Sequence, residues 1–382
     1  MEFNKKPKIL IVGGGVIGLS IARELHIAGV RDITVVDKGT LGREASWAAA
    51  GMLAPNVEAE HADDFYKFCA ASNEIYPNFV RKLVDETGCD IDYRKCGTIE
   101  IALSEDDAAV LSAKLERQKL KGFKAHALDA SEILSLEPSL SRDVVAGIHY
   151  PDDGYVDNRQ LVGALSVYLR RNEIDVLENV KFATLSLDGD RITGAIVNGR
   201  TVDADLTILA TGAWSSLIKI GDRALPIDVK PIKGQMVAFA DRSLDLRKVI
   251  VAPGAYLTPR VDGRILVGAT VENVGFDKAI NEEAIDRLIK AARQAMPTLE
   301  RVEPAETWCG FRPFASDGMP IIGGFDEIDS LFVATAHFRN GILLAPLTAK
   351  IVADKIVDKI DSPFLEAFRP QRSLTSSGVG TT

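Results

Sequence analysis

Metal-type cysteine spacing, long apolar runs and a basic surplus are all missing from this chain of 382 residues. Its four cysteines, Cys69, Cys89, Cys96 and Cys309, form no CxxC pair. Neither a disulfide framework nor a metal centre is therefore indicated, and reduced thiols in a cytoplasm are expected. No stretch approaches the ~18 consecutive apolar residues of a membrane span, so no membrane partner is expected. A net charge of −9 provides no electrostatic footprint for nucleic acid. Met1 to Lys8 is polar and basic, unlike a secretory leader. The small, polar end from Ser373, "SLTSSGVGTT", closes a segment 371–382 that reads as a disordered tail. With hydrophobic residues at 46% and charged residues at 26%, the remainder is an ordinary globular chain, long enough for two domains.

The strongest pattern is "KILIVGGGVIGLSIARELHIAGVRDITVVDK". Ile9 to Val12 is continuously apolar, as a parallel strand buried on both faces requires. Ile17, Ile21, Leu25 and Ala28 are spaced 4, 4 and 3 and make one helix face, with Gly29 as its stop. Ile33 to Val36 is the second strand. Gly13-x-Gly15-x-x-Gly18 falls on the turn and the helix start. Gly13 permits the tight turn, Gly15 lets backbone approach a pyrophosphate, and Gly18 lets helix and strand pack closely. The amides at the helix N-terminus, Val16 and Ile17 among them, are left for the anion. Asp37, 19 positions after Gly18, suits ribose hydroxyls and repels a 2′-phosphate. This fingerprint fits NAD and FAD equally.

Three further segments favour the flavin. "GREASWAAAGMLAP", Gly42 to Pro55, follows the second strand where a nicotinamide domain would continue with a crossover helix. Its small residues, Ser46, Ala49, Ala50 and Gly51, would let backbone approach a large flat ligand. A meander with turns at Asp188-Gly189-Asp190 and Asn198-Gly199 leads to a strand ending in Ala210, Thr211 and Gly212. "HFRNGILLAP", His337 to Pro346, follows a strand at Leu331 to Thr335. Pro346 fits the first turn of a helix, so regular helix is expected from Leu344 or Ala345. Asn340, Gly341, Ile342 and Leu343 would then form a turn of free N–H groups under a positive helix end. Such a turn favours the negative charge that a reduced flavin carries.

Together "IVGGGVIGLSIARELHIAG", "EASWAAAGMLAP", "TILATGAWS", "YLTPRVDGRILVGATVE", "GFRPFASDGMPIIG" and "HFRNGILLAP" resemble the D-amino-acid-oxidase family of FAD enzymes. The glycine-oxidising branch linked to thiamine biosynthesis is the nearest match. The resemblance implies an α/β (α+β overall) fold, with a Rossmann-type FAD-binding domain interleaved with a mostly antiparallel-sheet substrate domain. The expected division is 1–85, 140–225 and 305–370 for FAD, and 86–139 and 226–304 for substrate. "CGTIEIALSEDD" and the strands of Gly234 to Val271 alternate as that second domain requires, and a helix is expected over Asn281 to Ala295. Non-covalent FAD, a small amino-acid substrate, molecular oxygen and a homotetramer follow from the resemblance. It also implies that Val180 binds adenine through its backbone, and that Lys38, Gly310 and Arg339 border the cofactor.

On the substrate side, Arg312 lies on an apolar strand and needs an anion. Its planar fork suits a carboxylate, and the resemblance makes it the clamp; a structural salt bridge is the alternative. Tyr256 is implied as a second carboxylate contact, with a satisfied core tyrosine as the alternative. Arg339 is the second cation, Met52 a further substrate contact, and His337 a structural residue. The expected chemistry is oxidative deamination of glycine, sarcosine or a small D-amino acid. A dehydrogenase that uses another electron acceptor is the alternative. Cys309, three residues before Arg312, is near where related enzymes attach flavin covalently. Gly254 is expected to widen the pocket mouth.

Overall fold

The ILIV strand, Ile9–Val12, is buried at all four positions. Such a strand needs cover on both faces and neighbours on both edges. It pairs in parallel with Ile33–Val36 on one side and Leu206–Leu209 on the other. The computed structural model describes residues 7–59 and 61–372; the expected tail from Ser373 and the first six residues lie outside them. The six-stranded sheet runs Ile321–Gly324, Leu331–Thr335, Leu206–Leu209, Ile9–Val12, Ile33–Val36, Asp175–Leu177. Only its first pair is antiparallel. Helices Val16–Ile27, Asp64–Thr87, Asn158–Arg171 and Gly341–Ala353 cover one face and share one apolar core with the sheet.

The meander is present as Phe182–Asp188, Arg191–Val197 and Arg200–Asp203, antiparallel throughout. An eight-stranded sheet forms the second layer. Its order is Pro304–Ala315, Val229–Ala240, Arg264–Gly268, Ala255–Pro259, Val249–Ala252, Thr98–Ala102, Ala146–Tyr150, His126–Asp129. All its pairings are antiparallel except Val249–Ala252 with Thr98–Ala102. Helix Glu282–Ala295, capped by the Asn281 side chain on the Ala284 amide, packs on its back, close to the expected span.

Three details differ from the sequence reading. The strand in "CGTIEIALSEDD" stops at Ala102, because Ser104 accepts the Asp107 amide and starts the helix Glu105–Leu120. Strands Ala146–Tyr150 and Pro304–Ala315 belong to the eight-stranded sheet, whereas the expected division placed most of both with the FAD domain. The long register between Val229–Ala240 and Pro304–Ala315 holds the latter there.

The third difference concerns the C-terminal helix, which begins at Gly341 rather than near Leu344. A 3-10 turn, Phe338–Asn340, precedes it, and the Asn340 amide donates to the His337 carbonyl, so that amide is not free. Pro346 therefore lies past the first turn, where its missing N–H leaves the Ile342 carbonyl without its helical donor. The Tyr76 hydroxyl donates to that carbonyl at 3.1 Å, and Ser72 Oγ donates to Leu343 O at 2.6 Å. Both donors come from helix Asp64–Thr87. Replacing Tyr76 by Phe should orphan a buried acceptor and lower stability by about 1–3 kcal/mol, measured by denaturant unfolding. An unchanged midpoint would show that another group satisfies Ile342.

Candidate active site

One cavity of about 900 Å³ lies between the two sheets. It is at the upper end of the range for small-molecule sites, as a dinucleotide requires. Most residues singled out from the sequence border it. These include Gly13, Gly15, Val16 and Ile17 of the first turn, Asp37 and Lys38 of the second strand end, and Ser46, Ala49, Ala50, Gly51 and Met52. Val180, Ala210, Thr211, Gly212 and Gly310 also line it, as do Tyr256, Arg312, Arg339, Asn340, Gly341 and Ile342. Gly18 and Leu343 do not. Gly18 faces the strand, where a Cβ would collide with the Gly13 carbonyl. Leu343 is fully buried in the core behind the cavity.

The dinucleotide end shows how the turn is held. Gly13 has φ +111°, open to glycine at little cost, and a Cβ there would strike the Ala210 carbonyl. Ser46 Oγ, on the helical turn Ala45–Ala48, accepts the Val16 amide at 2.9 Å, so that amide, expected to serve the anion, is not free. Asp37 accepts from Gly14 N at 2.7 Å and Gly39 N at 2.8 Å. Burial raises its pKa, while those two amides oppose the shift. Each oxygen keeps a lone pair for a ribose hydroxyl. Val180 donates its N–H to Asp37 O at 3.0 Å, which leaves its carbonyl for an adenine contact. Lys38 pairs with Glu44 at 3.0 Å and lies 3.6 Å from the Trp214 ring centre.

Sequence reading missed the side chains that fix residues 45–51, which open with the helical turn Ala45–Ala48. Asn158 Nδ2 donates to Ser46 O at 2.8 Å and Trp47 O at 3.0 Å. The buried Arg260 donates to Ala50 O at 2.7 Å and faces Asp157 at 3.4 Å. Burial lowers the Arg260 pKa, and the Asp157 charge counters it. Trp308 Nε1 donates to Ala48 O at 2.9 Å. The one signal available was "VDN", whose Asp157 caps the following helix.

At the other end, Arg312 is half-buried, and a Cβ on the facing Gly234 would collide with its guanidinium. Its Nη1 donates to Thr270 O at 2.9 Å, and among the described residues it makes no ion pair. Burial lowers its pKa; Tyr256 and Glu58 oppose that, and Arg339 adds to it. The salt-bridge alternative is thus not realised, and a cation stands at the cavity without an anion. Tyr256 points its hydroxyl at Met236 Sδ, 3.3 Å away, a weak acceptor that leaves the phenol free to donate elsewhere.

Arg339 is more exposed and pairs with Glu58 at 3.4 Å, an acid that sequence reading did not single out. His337 is buried against Thr348 at 3.1 Å, and burial takes its pKa down to about 3, so it stays neutral. Cys309 does not line the cavity, and its Sγ lies against the Lys278 carbonyl at 3.4 Å. Gly254 has φ +83° in a strand turn, and a Cβ there would meet Ala291. It also borders the cavity, so its missing side chain serves the turn and leaves the pocket wall bare at that point.

Two helix N-termini, a wall of small residues and an acid at the ribose position thus converge on one large cavity. Comparison with known proteins agrees. The profile of DAO, FAD dependent oxidoreductase, matches residues 8–355. The chain belongs to the DAO family of FAD-dependent oxidoreductases. It is 32% identical over 348 residues to a glycine oxidase of Pseudomonas aeruginosa, covering 91% of this chain and 94% of that one. It is 35% identical over 377 residues to the bifunctional protein ThiO/ThiG of Synechocystis. That match covers 97% of this chain, which spans only 54% of the bifunctional protein. The crystal structure of glycine oxidase from Geobacillus kaustophilus superposes with a TM-score of 0.88 at 31% identity. The superposition covers 96% of this chain and 98% of that structure. The residues described above fit FAD, and this enzyme takes FAD as its cofactor. Among the described residues no helix is long and apolar enough to cross a membrane.

Proposed function

We propose that this flavoenzyme oxidises glycine or another small primary or secondary amino acid. The products are the 2-oxo acid, ammonia or an amine, and hydrogen peroxide. The observation that carries this reading is the half-buried Arg312 guanidinium, which faces the cavity without an anionic partner. A substrate carboxylate would accept a bidentate pair from Arg312 and a third hydrogen bond from Tyr256. FAD bound in this cavity supplies a hydride acceptor that oxygen can regenerate. Arg312, Tyr256 and the sheet behind them hold the carboxylate, so the substrate's Cα–H is oriented rather than free to tumble. No side-chain base is needed if the amine enters neutral, and the one histidine at the site stays neutral and bonded to Thr348. The resulting imine is hydrolysed by water.

The relatives' names support glycine as the first substrate to test, and the ThiO/ThiG match supports a place in thiamine biosynthesis. A homotetramer in the cytoplasm is proposed on resemblance alone; light scattering would test the tetramer. Peroxide formation from glycine in air is the direct assay, and its absence across an amine panel would overturn the reading. In that assay Tyr256→Phe should raise KM about 10–100-fold and move kcat little, because it removes one hydrogen bond to a charged group.

A further inference from the structure

The roof of the cavity is one cross-strand row of the eight-stranded sheet. Met236 pairs with Gly268, Gly268 with Tyr256, Tyr256 with Val251, and Val251 with Glu100. Partners in register point to the same face, and all five residues line the cavity. Neighbouring strands are ~4.8 Å apart, so Glu100 lies about 10 Å beyond Tyr256 along the row, past Val251. The cavity therefore continues from the carboxylate clamp to a second end that presents the Glu100 carboxylate, one oxygen of which is ion-paired with Lys114.

Glu100 is held there firmly. Its Oε2 accepts from Lys114 Nζ at 2.6 Å and lies 3.1 Å from the Tyr150 hydroxyl, whose single proton it shares with Gln118 Oε1 at 3.0 Å. Lys114 also donates to Val57 O at 2.7 Å, and Lys114 itself does not line the cavity. Among the described residues, Oε1 has no hydrogen-bond partner. An ionised carboxylate oxygen can only accept. A hydrocarbon end placed against it would strip its water without return, and a second carboxylate would be repelled.

We propose that Glu100 forms a distal subsite that selects amino acids whose side chain ends in an ammonium group. An ornithine- or lysine-length chain, its carboxylate on Arg312 and Tyr256, would run along the row past Val251 and meet Oε1. Glycine reaches nothing there. The inference rests on the carboxylate clamp of the proposed function, and its test separates the two.

The probes are 5-aminopentanoate and pentanoate, which carry the carboxylate and no α-amine. Their binding to the FAD-loaded enzyme is read from the flavin absorption change, with peroxide formation from glycine measured alongside. The wild type should bind 5-aminopentanoate at least tenfold more tightly than pentanoate, about 1.4 kcal/mol. Glu100→Gln should bring the ratio close to one. If that variant does not fold, Val251→Phe, which blocks the row between Tyr256 and Glu100, should weaken 5-aminopentanoate far more than acetate. Initial rates should follow the same order, with D- or L-ornithine above norvaline of the same hand. Equal wild-type affinities would overturn the subsite, as would a preference that survives both substitutions. If neither probe binds and glycine yields no peroxide, the carboxylate clamp fails, and the subsite with it.

Discussion

Arg312→Ala should lower kcat/KM for glycine by on the order of 10²–10³, and the variant should still purify yellow. The size follows from removing one partner of a hydrogen-bonded charge pair, which costs about 2–5 kcal/mol. The guanidinium is backed by Gly234 and tethered by one bond to the Thr270 carbonyl, so alanine leaves a gap no neighbour can fill with charge. Arg339 does not replace it, because Glu58 already partners it at the cavity mouth. Arg312→Lys keeps the charge and loses the fork, and should fall between alanine and wild type. Steady-state kinetics beside a flavin spectrum decide the matter. A kcat/KM within threefold of wild type would remove Arg312 from substrate binding.

Gly18→Ala should cost the protein most of its flavin. The added Cβ would collide with the Gly13 carbonyl, a backbone atom that cannot rotate away. Helix Val16–Ile27 must then lift from strand Ile9–Val12, taking the anion-binding amides out of position. Overpacking of this kind costs about 1–3 kcal/mol and more against rigid backbone. We expect an FAD Kd raised on the order of a hundredfold and a lower melting temperature, measured by equilibrium dialysis and thermal unfolding. Gly163→Ala is the control, since a Cβ there meets nothing within 4 Å on its helix. It should leave both values unchanged or slightly improved. Equal behaviour of the two variants would show that close packing at Gly18 is not required.

What was legible in the sequence was whatever depends on near neighbours. The first strand, its glycine turn, the helix and the closing Asp37 lie in one short segment, and each residue's role follows from local backbone geometry. Arg312 and Tyr256 stood out because polar groups on apolar strands need a reason. The helix Asp64–Thr87 was not foreseen: it carries Pro77 within, and its apolar face is recognisable only against Gly341–Ala353. The true start of Gly341–Ala353 was hidden for the same reason. Pro346 is tolerated past the first turn because Tyr76, 266 positions away in the chain, satisfies the carbonyl it frees. Asn158, Arg260 and Trp308 are ordinary polar or aromatic residues until the fold sets them under the carbonyls of 45–51. Glu58 and Glu100 likewise read as solvated charge from sequence alone.

The central sheet is stitched from pieces made far apart in time. Ile9–Val12 waits for Leu206–Leu209, which begins 197 residues later, and that strand waits in turn for Leu331–Thr335. At ~5–20 residues per second, the nascent chain carries this wholly apolar strand without its second neighbour for roughly 10–40 s. The complete cavity does not exist during that interval, because Asn340 to Ile342, which line it, are made later still. The first strand pairings therefore have to form without the cofactor, and a truncation that removes Leu331–Thr335 and Gly341–Ala353 should leave a colourless, aggregating product.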